Sequence, residues 1–337
     1  MKNQINVSVV IPAYNPGKKI IHCLEALGKN LKTLSLIKNV DYELIIINDG
    51  GNLIDLNFNH GIKNICYFKI RNNRGVGYAR QIGARISKYN YILYLDSDIV
   101  LEQDDTLVVL FEEYFTLNNV GSIGPVQSYR NLSDEFTSDF VCAKTCYGFE
   151  DVEHQTESSG IRSECCLIEK DFLKLVGGWK FFPGAGGEEF ELGHRITKSG
   201  KKNYVTKKTN YTTFYDNLYD RSKTIISRTS SYLSVFIDRK KFETKGSFAT
   251  FPQVLSTFFT SLILITIFFS FLIPKLYFLL SILVFLNILV EFKFLKFALK
   301  FYKKKNFLIY LFGIYIVNIS IILGTLIGIS RLFNFKK

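Results

Sequence analysis

The chain opens with short apolar runs separated by polar stretches of helical spacing. Val7-Ser8-Val9-Val10-Ile11 is a β-branched run that stops at Pro12, and Glu43 to Ile47 repeats the pattern before the turn residues Asn48-Asp49-Gly50-Gly51. Between them, Ile20, Ile21, Leu24, Leu27 and Leu31 recur at helical steps after Asn15-Pro16-Gly17, which predicts a helix over Lys18 to Leu31. These elements make a β-α-β unit. Asn64 to Ile70 reads as a further strand and Val76 to Ser87 as a small-residue helix. Tyr91 to Leu95 is a strand that delivers Asp96-Ser97-Asp98 at its carboxyl end. Gly160 to Ile168 is strand-like, Lys170 to Val176 helical, and Glu188 to Lys198 helical after the approach Gly184-Ala185-Gly186-Gly187. Such alternation predicts an α/β domain with a mainly parallel sheet, whose ligands gather beyond the strand carboxyl ends. Residues 131–158 have no clear period, and a loop or broken helix over the site is expected there.

The C-terminal third follows a different pattern. Val254 to Ile273 and Phe307 to Ser330 contain no charged residue, and each supplies the roughly 20 residues that cross a hydrocarbon core of about 30 Å. Leu276 to Val290 is uncharged but shorter, so it either spans by including flanking residues or forms a re-entrant arm. Lys293, Lys296, Lys300 and Lys303 or Lys304 follow at three- and four-residue steps, as on one stripe of a helix resting at the headgroups or in a charged connecting loop. Either version belongs on the cytoplasmic side by the positive-inside rule, as does the basic stretch Arg221 to Lys245.

Composition sharpens this division. The 337 residues are 47% hydrophobic and 21% charged, too apolar for a disordered chain. A net charge of +12 taken alone would suit nucleic acid, a membrane surface or acidic ligands. Residues 1–200, however, carry 25 acidic against 21 basic side chains, whereas residues 246–337 carry 10 basic and one acidic. The excess sits beside the apolar segments, which points to membrane lipids and away from nucleic acid. Cys23, Cys66, Cys142, Cys146, Cys165 and Cys166 lack the paired spacing of a zinc site and read as reduced thiols. The first residues, MKNQINVSVVIPAYN, do not suit a signal peptide, so the N-terminal part is expected in the cytosol.

Five segments in order carry the chemistry. They are Val9-Val10-Ile11-Pro12-Ala13-Tyr14-Asn15, Ile46-Ile47-Asn48-Asp49-Gly50, Asn73-Arg74-Gly75 through Gly83, Leu95-Asp96-Ser97-Asp98, and Gly187-Glu188-Glu189 through Arg195. Together, over about residues 5–215, they resemble the motifs of family 2 glycosyltransferases. The resemblance implies a GT-A fold, a nucleotide-diphospho-sugar donor, a divalent cation (Mg2+ or Mn2+) and inversion at the anomeric carbon.

Residue types agree with that chemistry. A departing nucleoside diphosphate gathers charge that a carboxylate-held divalent cation neutralises. Strand geometry would put Asp96 and Asp98 on one face; by resemblance, Asp98 is the metal ligand, and Asp96 lies nearer the ribose or a metal-bound water. Pro12, Ala13, Tyr14, Asn15, Asp49, Arg80 and Ser97 complete the expected nucleotide-sugar site. Asp49 stands where the family reads the base, while Asn48 replaces a neighbouring acid. Arg80 offers a guanidinium suited to a base edge or phosphate. An inverting transfer needs a base for the acceptor hydroxyl. The family places it second in a Glu-Asp pair, so Glu189 is the candidate, with Glu188 as the alternative.

Two absences narrow the activity. No Gln-x-x-Arg-Trp follows the acid pair, and Trp179 is the only tryptophan, so the resemblance to processive synthases fails and transfer of one sugar is expected. A histidine that many relatives carry after the base motif has no counterpart in residues 203–220, where Asp216 is a stand-in. His194 reads as a packing or surface residue. The expected organisation is a GT-A domain at residues 1–215, a basic elbow at 216–250 and a membrane part at 251–337 with two or three crossings. The acceptor expected of a plasma-membrane enzyme with a cytoplasmic catalytic domain is a polyprenyl phosphate or lipid-linked glycan. A catalytically silent nucleotide-sugar binder or scaffold is the alternative.

Overall fold

The computed structural model describes residues 6–38, 40–150, 152–181, 187–239, 250–302 and 307–334. Gly184, Ala185, Gly186, Lys303, Lys304 and the end of the basic elbow lie outside the described residues. The elements, in order, are β1 (Val7–Ala13), α1 (Lys19–Lys38), β2 (Tyr42–Asn48), β3 (Ile65–Lys69), α2 (Val76–Ile86), β4 (Tyr91–Leu95), β5 (Ile99–Leu101), α3 (Thr106–Thr116) and β6 (Val120–Asn131). Then come α4 (Ser138–Tyr147), β7 (Thr156–Ser158), β8 (Cys165–Glu169), α5 (Lys170–Leu175), α6 (Glu188–Lys198) and β9 (Lys202–Thr213). Four long helices close the chain: α7 (Leu218–Arg239), α8 (Phe251–Ser270), α9 (Leu276–Phe301) and α10 (Phe307–Asn334).

The chain divides into two compact units, one of residues 1–132 and 152–214, the other of residues 133–151 and 215–337. In the first, the strand order is β3-β2-β1-β4-β8-β6-β9-β5, with β7 paired to β9. The β1, β2, β3 and β4 ladders are parallel, as the β-α-β reading requires, and β8 joins β4 antiparallel. Alternate residues of the buried strands feed opposite layers. Val7, Val9 and Ile11 pack with Leu24, Leu27 and Leu31 of α1 and Phe111 of α3. Val10, Ile45 and Ile47 pack with Ala79 of α2, Trp179, and Leu192 and Ile196 of α6. At about 1.5–3 kcal/mol per fully buried aliphatic side chain, these layers fix which face of each strand meets which helices.

Two sequence expectations change here. Strand β4 stops at Leu95, and Asp96-Ser97-Asp98 is a turn closed by the Ile99 N–H to the Asp96 carbonyl at 3.1 Å. The two-residue alternation of a strand therefore does not govern Asp96 and Asp98. The stretch 131–158 contains the regular helix α4, which belongs to the second unit.

The second unit is helical. Helices α8, α9 and α10 are each long and apolar enough to cross a membrane. Helix α9 runs unbroken through Glu291, Lys293, Lys296 and Lys300, so Leu276 to Val290 is the first half of a full-length helix and those lysines lie in its continuation. Asn318 of α10 donates to the Ser256 and Thr260 hydroxyls of α8, both at 2.9 Å. Asn287 of α9 donates to the Ser256 carbonyl at 2.8 Å, and Gln253 donates to Asn318 Oδ1 at 2.7 Å. In an apolar surround an unmatched amide is costly, so this buried clasp sets the rotation of all three helices. Helix α4 packs among them through Phe140, which meets Phe294 edge-on and stacks near Tyr310. A Cβ at Gly313 would stand 2.6 Å from the Phe140 ring. Beside these contacts Lys144 Nζ lies 2.9 Å from Glu291 Oε2, whose side chain is 5% exposed, and 4.5 Å from the Phe294 ring centroid.

Candidate active site

The carboxyl ends of β1 and β2 form one wall of the site. The Asp49 N–H donates to the Ala13 carbonyl at 2.8 Å, and Asn15 Oδ1 accepts the Asn52 N–H at 2.8 Å. Pro12, Ala13, Tyr14 and Asn15 are thereby joined to the 48–52 turn, with Pro12 and Ala13 buried and Tyr14 exposed. Asn48 explains its own departure from an acid. Its buried amide donates to the Asn52 carbonyl and to Tyr67 Oη, both at 2.6 Å, and its Oδ1 accepts the Gly51 N–H at 2.8 Å. A carboxylate could not make the two donations. Asp49 points the other way, each oxygen receiving one backbone N–H, from Arg74 and from Gly75, at 2.8 Å. Burial raises the pKa of this carboxyl above its ordinary value, against the pull of those two donors.

The centre is built on Arg80. Helix α2 presents it into the sheet, where it is 2% exposed, lies 4.9 Å from the Trp179 ring and donates to Asp96 Oδ1 at 2.8 Å. Its second nitrogen stands 3.8 Å from Glu188 Oε1 at the start of α6. Burial opposes the charge on Arg80, and Asp96 and then Glu188 outweigh it, so its pKa is raised. The structure thus brings together Arg80, Asp96 and Glu188 from three separate segments. Glu188 is buried, and Glu189 is half-buried beside it, its carbonyl accepting the Ile161 N–H at 3.2 Å.

Helix α6 is fixed by a further pair. Glu191 accepts Arg195 Nε at 2.8 Å and Nη2 at 2.6 Å, and Lys180 Nζ lies 2.7 Å away. Arg195 also donates to the Val176 and Gly178 carbonyls, and Gln81 Oε1 accepts the Trp179 N–H at 2.8 Å. Residues 176–180 are therefore pinned to α2 and α6. His194 is half-buried on α6, and Asp216 falls in the second unit.

The Asp96-Ser97-Asp98 turn is half-buried, with the Asp98 carbonyl accepting Thr213 Oγ1 at 3.1 Å. Beneath it, Cys23 Sγ faces the Asp96 carbonyl at 3.6 Å. Burial, then the Asp98 and Asp96 charges, push that thiol up and keep it neutral. Among the described residues, no group of three or more His, Cys, Asp or Glu could hold a metal ion by itself. One or two carboxylates suffice for a cation whose further ligands come from phosphates, and hard oxygens suit Mg2+ or Mn2+. Sequence reasoning missed a neighbouring set, Arg162, Glu164 and Tyr211, linked at 2.6–2.7 Å. The strand-like run Gly160 to Ile168 was its only signal.

A mainly parallel mixed sheet with acids at the strand ends and a GT-A architecture defines the class of nucleotide-sugar transferase folds. Residues 8–173 match the family model described as glycosyl transferase family 2. Poly(ribitol-phosphate) beta-N-acetylglucosaminyltransferase TarP of Staphylococcus aureus (strain N315) is 34% identical over 101 residues, 29% of either chain. Chondroitin synthase of Escherichia coli is 30% identical over 235 residues, 58% of this chain and 32% of that one. The matches thus span about a third of the length of these relatives. The solved mannosyltransferase PcManGT from Pyrobaculum calidifontis, in complex with GDP-Man and Mn2+, shares the fold with a TM-score of 0.55 at 13% identity, over 96% of this chain and 88% of that one.

Proposed function

We propose that the protein is a membrane-anchored, inverting glycosyltransferase that moves one sugar from a nucleotide-diphospho-sugar to a lipid-linked acceptor, a polyprenyl phosphate or lipid-linked glycan destined for the cell surface. The observation that carries this reading is the buried Arg80 guanidinium between Asp96 and Glu188. It ties the acidic turn that receives the donor to the acid pair that receives the acceptor proton, so both ends of a displacement rest on one rigid point.

In this reading Asp98, with Asp96, holds Mg2+ or Mn2+. The cation, when bound, neutralises charge on the leaving diphosphate. Pro12 to Asn15, Asp49 and Ser97 cradle the nucleotide, with the exposed Tyr14 ring available to the base. Arg80 orients Asp96 and Glu188, its Nη2 bonded to Asp96 and its Nη1 facing Glu188. Glu188 is committed to Arg80, which leaves Glu189 as the base that takes the acceptor hydroxyl proton. The missing Gln-x-x-Arg-Trp supports transfer of one sugar. The GT-A domain of residues 1–215 faces the cytoplasm, the side assigned by the basic elbow and the α9 lysines. Three apolar helices confine enzyme and lipid acceptor to one plane and raise their effective concentration.

The test is a panel of UDP- and GDP-sugars with Mg2+ or Mn2+ and native lipid extract, scored for nucleotide release and labelled lipid. Lipid-dependent release that disappears in Asp98→Ala is expected. Equal transfer to water-soluble acceptors, with every lipid ignored, would remove the lipid acceptor from the proposal.

A further inference from the structure

Glu164 belongs to none of the motifs that define the site, yet it lies directly across from Asp96. Strands β4 and β8 are antiparallel with Leu95 opposite Cys165, and the pairing extends one step, the Asp96 N–H donating to the Glu164 carbonyl at 2.9 Å. Each acid has its own cation, Arg80 for Asp96 and Arg162 for Glu164.

The support for Glu164 is built to orient it. Oε1 accepts Arg162 Nη2 at 2.6 Å and Tyr211 Oη at 2.7 Å, and Arg162 Nη2 also donates to Tyr211 Oη at 2.6 Å. Arg162 and Tyr211 are buried, while the Glu164 side chain remains 25% exposed. Strand β6 carries glycine opposite, because a Cβ at Gly124 would stand 2.5 Å from Arg162 Cβ and 2.4 Å from the Cys165 carbonyl oxygen. The result is a partly exposed carboxylate locked in place next to the Asp96-Ser97-Asp98 turn. Arg162 already balances its charge, and it joins no metal-holding group among the described residues. An oriented, partly exposed carboxylate is an acceptor for hydroxyl donors, with short charge-assisted bonds.

We propose that Glu164, oriented by Arg162 and Tyr211, is a subsite for a sugar hydroxyl beside the donor turn. The inference rests on the glycosyltransferase reading. The hydroxyl belongs to the sugar of the donor or of the acceptor, and the experiment separates the two.

Full-length protein in detergent with Mn2+ is titrated calorimetrically with UDP and GDP and with the matching nucleotide sugars, for the wild type, Glu164→Gln and Tyr211→Phe. For a donor hydroxyl, Glu164→Gln weakens the nucleotide sugar about tenfold while the bare diphosphate stays within about twofold, and Tyr211→Phe moves the same way by less. For an acceptor hydroxyl, both donor affinities hold and the KM for lipid acceptor rises about tenfold. A structural role alone would weaken diphosphate and nucleotide sugar equally, and that result overturns the subsite, as does a folded Glu164→Gln or Tyr211→Phe protein unchanged in every constant. A wild type that binds neither diphosphate nor nucleotide sugar defeats the glycosyltransferase reading and the subsite with it. A wild type that binds and transfers beside an unaltered variant defeats the subsite only.

Discussion

Arg80 donates to Asp96 across 2.8 Å from a position 2% exposed to solvent. Removing it in Arg80→Ala leaves Asp96 and the buried Glu188 without their shared cation. The expected outcome is a loss of about 3–5 kcal/mol in stability together with loss of transfer. Arg80→Lys keeps the charge but not the fork, so it should recover part of the stability and little of the activity. Thermal unfolding alongside the transfer assay checks both statements.

Glu189→Gln should lower kcat by about 10²–10⁴ while leaving the melting temperature near that of the wild type, because Glu189 is half-buried and its charge acts on Arg80 less than those of Asp96 and Glu188. Glu188→Gln should do the reverse in emphasis, costing stability first. If the two substitutions exchange these signatures, Glu188 is the base.

Glu191 gives a pH prediction. Burial acts to raise its carboxyl, and the hydrogen bonds from Arg195 and Lys180 outweigh burial, so the folded value is depressed below 4.5. An acid with a depressed folded value contributes stability above its unfolded value and loses that contribution as pH falls through the folded one. Glu191→Gln should therefore cost about 2 kcal/mol at neutral pH, and the difference from wild type should close as pH drops below about 4.5. Melting curves at stepped pH would show it.

In the helical unit, Lys144→Ala strands Glu291 among apolar side chains and should cost about 3–5 kcal/mol. Replacing both, as Lys144→Met with Glu291→Leu, should restore most of it. A double variant no better than the single one would show that the ion pair is not what Lys144 contributes.

The parallel half of the sheet and the apolar helices were legible because their signals are local. β-branched runs, helical spacing and uncharged stretches are each complete within a few turns of chain. What escaped depends on partners far away in sequence. Helix α4 has no polar face to reveal it, since Phe140, Val141, Cys142, Ala143 and Cys146 are all buried. The meaning of Lys144 lies in Glu291, 147 residues on. Glu164 could be placed only by the β4–β8 register and by Tyr211 on a strand that carried no alternating pattern in sequence. The Asp96–Asp98 pair follows the end of β4, but it was assigned strand geometry, because nothing in Leu95-Asp96-Ser97 marks where the ladder hands over to a turn. Arg80 was marked as a ligand contact, and its actual neighbours, two acids from other segments, are invisible to spacing.

The chain passes between its two units three times, after Leu132, after Asp151 and after Phe214. A fragment cut at residue 215 to obtain a water-soluble catalytic piece would still carry α4, but stripped of Phe294, Phe297, Tyr310 and Val317 that cover it. Its apolar side chains would then meet water. Such a fragment is expected to aggregate or to demand detergent although every long apolar helix has been removed, and the cure is to shorten the 133–151 excursion as well.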